Sequence, residues 1–154
     1  MSVKTGMQIK GTIEIRVERP DGSVLKVRQK NLVMYDWGLK KVASLLAGVA
    51  QGANMITHLA MGTDNTPPAE DQSILIGETI RDACVITQQA DPEANKVEYK
   101  VVHALGAVTG TFEEAGLFDA GTGGNMFNRV IFAPFIVTSA DTLTVVWVVE
   151  VKNV

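Results

Sequence analysis

The run MQIKGTIEIRVE (Met7–Glu18) alternates apolar and charged side chains. The apolar residues of one parity are Ile9, Ile13, Ile15 and Val17. A period of two is typical of a strand that buries one face. The turn residues PDGS follow and VLKVRQKNLV runs back, so residues 7–33 are predicted to form a hairpin whose outer face is charged.

The pattern changes in the segment DWGLKKVASLLAG, which predicts one helix over residues 37–47. The predicted apolar stripe of this helix consists of Leu39, Val42, Ala43 and Leu46. Asp36 is placed to cap the first turn, and Gly48 is placed to end the helix. This helix is the only interruption in an otherwise strand-like chain.

The rest of the sequence reads as further short strands. These are MITHLAMG, residues 81–88 and 96–105 around the polar turn ADPEAN, and the last three segments GTFEEAGLFDA, NMFNRVIFAPF and DTLTVVWVVEVKNV. With the first hairpin they give roughly eight strands at short, regular spacing. The prediction is a mainly β chain: one antiparallel, jelly-roll-like β-sandwich over residues 1–154, with one short α-helix.

Composition limits the classes of function. The 154-residue chain is 46% hydrophobic, which suffices for one core, and its net charge of −3 comes from interspersed signs. We therefore expect neither nucleic acid nor a membrane surface as partner. Cys84 is the only cysteine, so no internal disulfide or cysteine-based zinc site is expected. The N-terminus has no apolar signal-like run, and the chain is expected to be soluble.

The glycines in EEAGLFDAGTGGNMFNRVIF (residues 113–132) invite comparison with a phosphate-binding loop. Such a loop opens a helix, whereas NMFNRVIF has strand composition, and no Lys-Ser or Lys-Thr pair follows. A hairpin turn is the favoured interpretation, because Gly and Asn tolerate the positive φ that tight turns need.

The sequence shows no catalytic or metal-binding pattern, and no cofactor is predicted. His58 and His103 are isolated, and His103 is expected to be a partly buried, hydrogen-bonded residue. Cys84 is expected to be a small buried residue, and the adjacent Glu113 and Glu114 should face opposite sides of a strand. The acidic residues of the loop 62–73 are expected to be solvated. A binding or assembly protein is favoured over an enzyme.

Four ordered blocks resemble a group of small structural proteins of tailed bacteriophages. The blocks are KNLVMYDWGLKKVASLLAG, ITHLAMGTDNTPPAEDQSILIGETIR, EEAGLFDAGTGGNMFNRVIF and SADTLTVVWVVEV, within residues 31–151. The resemblance implies a virion component assembled in the host cytoplasm: a capsid decoration or cement protein, or a tail, fibre or neck module. It implies other virion proteins as partners, above all the major capsid protein, and we expect a homo-oligomer.

Some residues are candidates for contacts between subunits. Phe118, Phe132 and Trp147 are assigned to the core. Pro134 interrupts the run FAPF, which leaves Phe127 and Phe135 as candidate contact residues. Pro67 and Pro68 stiffen the loop 62–73 and lower the entropy lost on docking. Residues 1–6 are hypothesised to be a flexible arm that extends over a neighbouring subunit.

Two alternatives to a capsid cement protein stay open. The first is a tail, baseplate or collar-fibre module with the same sandwich. The second is a carbohydrate-binding sandwich, although the sequence shows no cluster of Trp or Tyr on one loop that would stack on sugars.

Overall fold

The structure is a computed structural model that describes residues 6–31, 36–48 and 55–153. The elements are β1 (Met7–Glu18), β2 (Val24–Asn31), α1 (Asp36–Leu46), β3 (His58–Gly62), β4 (Glu78–Ala83), β5 (Val85–Gln88), β6 (Lys96–His103), β7 (Gly110–Phe118), β8 (Met126–Val137) and β9 (Thr142–Asn153). The hypothesised arm falls almost entirely outside the described residues, as does the side chain of Asp36 with its predicted capping role.

The strands form two antiparallel sheets. Sheet A has the order β2-β1-β9-β6-β5, and sheet B has the order β4-β3-β7-β8. Successive hairpins alternate between the sheets, since β1–β2 and β5–β6 pair in sheet A whereas β3–β4 and β7–β8 pair in sheet B. The predicted mainly β antiparallel sandwich with one short helix is confirmed.

The core lies between the inner faces of the two sheets. Sheet A contributes Ile13, Ile15, Val17, Leu143, Val145 and Trp147; sheet B contributes Leu59, Met61, Phe112, Leu117, Val130 and Phe132. Alternate residues of β9 are buried from Leu143 to Val149, as the sequence pattern predicts. Phe118, also predicted to be in the core, is completely buried in a second cluster on the outer side of sheet B.

The first hairpin follows the sequence closely. β1 and β2 pair from Gly11↔Asn31 to Glu18↔Val24. The turn is closed by hydrogen bonds from Gly22 N to Arg19 O (3.0 Å) and from Ser23 N to an Asp21 carboxylate oxygen (2.8 Å). Gly22 has a φ of 79°, which only glycine adopts without strain.

The predicted strand over residues 81–88 is in fact divided between the sheets. β4 ends at Ala83 in sheet B, β5 begins at Val85 in sheet A, and Cys84 lies between them. Cys84 N–H donates to Thr57 O at 2.8 Å instead of to either sheet. This crossing raises the number of strands in the described residues to nine, one more than the sequence predicts.

The helix occurs where predicted, but of its predicted apolar stripe only Val42 faces the core. Leu39 and Leu46 are 55% and 79% exposed, whereas Trp37 and Val42 pack against the core. The helix ends at Leu46, and Gly48 follows with the predicted left-handed φ of 68°. No helix in the described ranges is long and apolar enough to span a membrane.

Pro134 lies where the sequence restricts it, in an edge strand at a bulge. β8 is the outer strand of sheet B, and its register with β7 shifts between Phe112↔Phe135 and Glu114↔Ile131. The extra residues of β8 opposite Glu113 include Pro134, which has no N–H to donate to a ladder.

Candidate functional site

The structure revises two of the predicted contact residues. Phe127 and Phe135 are 4% and 5% exposed and belong to the core, and Phe135 packs against Phe112 and Phe132 with ring centroids 5.8 and 5.5 Å apart. The bulge at Pro134 allows β8 to bend without releasing these rings. Phe135 is therefore not available to a neighbouring subunit, and Phe127 offers only a 4% exposed surface, in the lining of the apolar groove described below.

Pro67 is exposed and Pro68 is half-buried in the long loop between β3 and β4. This loop, residues 63–77, covers the outer face of sheet B: Leu75 is buried with Ala60, Phe118 and Met126. Pro67 and Pro68 remain predicted contact residues. They lie on a loop that Leu75 attaches to the outer face of sheet B.

A buried ion pair holds the loop. Arg129 Nε donates to Glu114 Oε2 at 2.7 Å, and both side chains are fully buried. The second Glu114 oxygen accepts from Gly77 N at 2.6 Å, and Arg129 Nη1 donates to Thr66 O at 2.7 Å. The pair thus satisfies backbone groups at both ends of the loop.

Sequence reasoning placed Glu113 and Glu114 on opposite faces of a regular strand. The strand is irregular there, since its register with β8 shifts between Phe112 and Glu114, and the pair of Glu114 with Arg129 was missed. The sequence does contain a signal for a buried charge. Arg129 lies within the strand-like run NMFNRVIF, which favours a position in the sheet interior or at a sheet edge. What the sequence does not indicate is the register Gly116↔Arg129, which brings the arginine beside Glu114 on the outer face of sheet B.

The glycine cluster forms a turn, as favoured. Gly123 and Gly124 have φ values of 60° and 70°, and Asp119 accepts from Asn125 N at 2.6 Å across the turn. Arg81 donates to the Ala120 and Gly123 carbonyls at 3.0 and 2.7 Å. β8 follows the turn, so no helix N-terminus faces it.

The described residues contain no group of three His, Cys, Asp or Glu side chains placed to hold a metal ion. His103 is partly buried and lies 3.5 Å from an Asp82 carboxylate oxygen, in line with the predicted environment. Burial raises the pKa of the Cys84 thiol to about 12, with a smaller contribution from Asp82. A protonated, half-buried thiol is a poor nucleophile at neutral pH.

The most distinctive unfilled surface is an apolar groove at the end of the sandwich beside α1, with a volume of about 380 Å³. The groove is lined by Ile9, Lys41, Val42, Leu45, Met55, Ile56, Ile86, Gln88, Val97, Tyr99, Phe127, Val149 and Val151. Its rim exposes large apolar side chains to solvent: Met55, Ile86 and Val151 are 51%, 39% and 40% exposed. Burial raises the pKa of the Tyr99 phenol to about 12, so the phenol is neutral, and Lys41 is the charged residue among those lining the groove.

The edge strand β5 borders the groove and is chemically unlike the other edges. All four of its residues, Val85–Gln88, are exposed and none is charged. Edge β2 carries Lys26, Arg28 and Lys30, edge β4 carries Glu78, Arg81 and Asp82, and edge β8 has a bulge with Pro134. Charges, bulges and prolines are the features by which edges resist pairing with another strand. Among the described edges, β5 is therefore the one open to strand addition.

Comparisons with protein-family models, with curated proteins and with solved structures find no match to this chain.

Proposed function

We propose that the protein is a non-enzymatic structural component of a bacteriophage particle, most plausibly a capsid cement or decoration protein. The observation that supports an assembly role is the uncharged, unpaired edge β5 beside the apolar groove. Contiguous exposed apolar surface of this kind is typical of protein contacts. The virion setting comes from the resemblance of the four sequence blocks to phage structural proteins.

The occupant of this surface in the proposal is a second copy of the same chain. Two β5 strands related by a two-fold axis pair antiparallel about Ile86, which lies opposite Ile86 of the second copy, with Val85 opposite Thr87. No charged residue of β5 opposes another across such an axis, so the strand is compatible with itself. The pairing joins two copies of sheet A into one sheet and places the two grooves beside the new interface.

The mechanism is passive. Burying the groove rim removes apolar surface from water at roughly 25 cal/mol per Å², and the strand pair satisfies backbone groups that the edge leaves open. An oligomer held in this way stabilises a shell by bridging its subunits, and it requires no bond making or breaking.

Quantitative mass spectrometry of purified particles tests the proposal. A cement protein is expected in hundreds of copies per particle and at the capsid surface in a density map. A few to a few dozen copies, located at the tail or neck, would replace the capsid role with the tail, baseplate or collar alternative. Absence from purified particles would overturn the virion role altogether.

The carbohydrate-binding alternative gains no support from the described residues. Trp147 is completely buried, Tyr99 is 9% exposed and Trp37 packs against the core, so the described Trp and Tyr side chains form no exposed cluster on which a sugar ring stacks.

A further inference from the structure

The charges of this chain are separated in space although they are interspersed in sequence. Strands β1, β2, β6 and β9 place one set of alternate residues on the outer face of sheet A. Its described cations are Lys10, Arg16, Lys26, Arg28, Lys30, Lys96, Lys100 and Lys152, which we call the basic face; its carboxylates are Glu14, Glu18, Glu98 and Glu150. Eight cations against four carboxylates leave +4 on this face.

Since the whole chain carries −3, the rest of the chain carries −7. The expectation that interspersed charges leave no electrostatic footprint is therefore wrong for the folded chain. Side chains six or more residues apart in sequence become cross-strand neighbours, and the period of two sorts the cations of four strands to one side.

The cations of the basic face are not all neutralised by its own carboxylates. Arg28 pairs with Glu14, Arg16 with Glu18 (3.0 Å), and Lys96 with Glu93 in the adjoining turn (2.8 Å). No described carboxylate forms an ion pair with Lys10, Lys30 or Lys152. These three side chains line one cleft of about 670 Å³ together with Lys96 and the carboxylates of Glu93, Glu98 and Glu150, so that four lysines face three carboxylates.

Lys10 and Lys152 lie side by side in the cleft. Contact with the Lys152 ammonium lowers the pKa of Lys10, and Lys30 adds to the effect. Like charges held together in this way are relieved by an anion bound between them.

We propose that the basic face, centred on the cleft of Lys10, Lys30 and Lys152, docks onto an acidic surface of another protein. The inference rests on the proposed assembly role and names the chemistry of the partner in that role. It also assigns the partner to a different side of the molecule from the β5 edge, so that one surface joins copies of the chain and the other attaches them to the particle.

Two features of the face favour protein over nucleic acid. Its four carboxylates are distributed among the cations, where they repel a continuous phosphate backbone but complement a protein surface that is mainly acidic with some basic groups. The outer positions of the described strands of sheet A also hold no aromatic side chain, so bases have nothing on which to stack.

The test is a binding titration of the full chain at low salt with two probes. The first is a synthetic peptide of repeated Glu-Glu-Lys-Glu units, and the second is a single-stranded DNA of the same length. The peptide is expected to bind more tightly than the DNA and to be released as salt is raised. Tighter binding of the DNA, or no binding of the peptide at low salt, overturns the proposal.

Variants locate the binding. The double change Lys10→Gln with Lys152→Gln is expected to weaken peptide binding about fivefold, the effect of losing two exposed ion pairs. Lys30→Gln should weaken it in the same direction, and Lys40→Gln, on an exposed position of α1, serves as the control that removes one charge elsewhere. An equal loss with Lys40→Gln, or no loss with the cleft variants, overturns the assignment to this face.

Lys10, Lys30 and Lys152 lie on strands and Lys40 lies on α1, and thermal unfolding curves will show whether the variants fold. The titration and the copy number in purified particles are independent measurements. A failed titration overturns the proposal of an acidic partner but does not affect the virion role. Absence from particles overturns the virion role but does not affect the binding of the acidic peptide.

Discussion

Arg129 Nε donates a hydrogen bond to Glu114 Oε2 at 2.7 Å, and neither side chain is exposed to solvent. The pair lies on the outer face of sheet B, where the loop 63–77 covers it. Glu114 accepts from Gly77 N, and Arg129 donates to Thr66 O, so the two charges hold a loop that has no strand or helix of its own.

The change Glu114→Gln is expected to lower the free energy of unfolding by about 3 kcal/mol, because it removes the fully buried partner of Arg129 and leaves only the partly exposed Asp64, 3.4 Å away, to balance the charge. Urea denaturation measures the difference. Glu113→Gln is the matched control: Glu113 lies one residue away, is half-buried, and its replacement is expected to change stability by no more than about 0.5 kcal/mol. Equal losses in the two variants would show that the buried pair has no special role.

Gly11→Ala tests how closely β1 packs against Trp147 of the neighbouring strand β9. A Cβ at Gly11 lies 2.8 Å from Trp147 Nε1, and Trp147 is a rigid side chain fixed in the core. The substitution forces the indole or β1 to shift, and a loss of about 1–3 kcal/mol is expected from such overpacking. Gly22→Ala, in an open turn, separates the two effects, since there a loss arises only from its positive φ. Unchanged thermal stability of Gly11→Ala would contradict the close packing.

The sequence predicts most of the fold, because the alternation along β1 and β9 depends only on which face each side chain takes. It also predicts the position of Pro134, since a residue without an N–H is restricted to edges and bulges. The sequence does not predict the division at Cys84, because one continuous strand pattern there is split between two sheets. It also fails for α1, where Leu39 and Leu46 face outward.

The surfaces proposed for function are less predictable than the fold for a physical reason. The cluster of Lys10, Lys30 and Lys152 depends on the order β2-β1-β9, which brings both ends of the chain into one sheet. The open edge β5 depends on which strand lies outermost. Both are properties of strand order, which residue periodicity does not encode.

Asp141 predicts a pH dependence of stability. Hydrogen bonds from Thr138 N (2.7 Å) and Thr138 Oγ1 (2.9 Å), with Arg19 nearby, hold the pKa of this carboxyl below its usual value of 3.8. Because the folded pKa is lower than the unfolded one, the stabilisation is present above about pH 4 and is lost as the pH falls through the folded value. Thermal unfolding between pH 7 and pH 2 measures it.

Asp141→Asn should therefore melt at a lower temperature than the unmodified chain at pH 7, and the gap should narrow as the solution is acidified. Asp71→Asn, at an exposed position of the loop 63–77, is the control for a general change in charge. A gap that stays constant down to pH 2 would show that the charge of Asp141 does not contribute.

Cys84 is expected to react slowly with thiol reagents. Its pKa of about 12 leaves a thiolate fraction at pH 8 that is on the order of a thousandfold below that of a thiol with the ordinary value of 9.0. A maleimide should therefore label the folded chain far more slowly than the same chain unfolded in guanidinium chloride. Comparable labelling rates in the two states would mean that solvent reaches Cys84 and that the crossing between β4 and β5 opens readily.

Ile86→Lys tests the interface at β5. Ile86 is 39% exposed, lies in the middle of the uncharged edge and lines the apolar groove, so a lysine there opposes itself across the two-fold axis and places charge on apolar surface. Light scattering coupled to gel filtration is expected to show a dimer for the unmodified chain and a monomer for Ile86→Lys.

Ile136→Lys provides the control, since Ile136 is also an exposed isoleucine of an edge strand, 58% exposed, but lies in β8 beside the bulge. Circular dichroism should show the same strand content in all three proteins, so that a change in mass reports association and not unfolding. A monomeric unmodified chain at high concentration, or a dimer that survives Ile86→Lys but not Ile136→Lys, would move the interface away from β5.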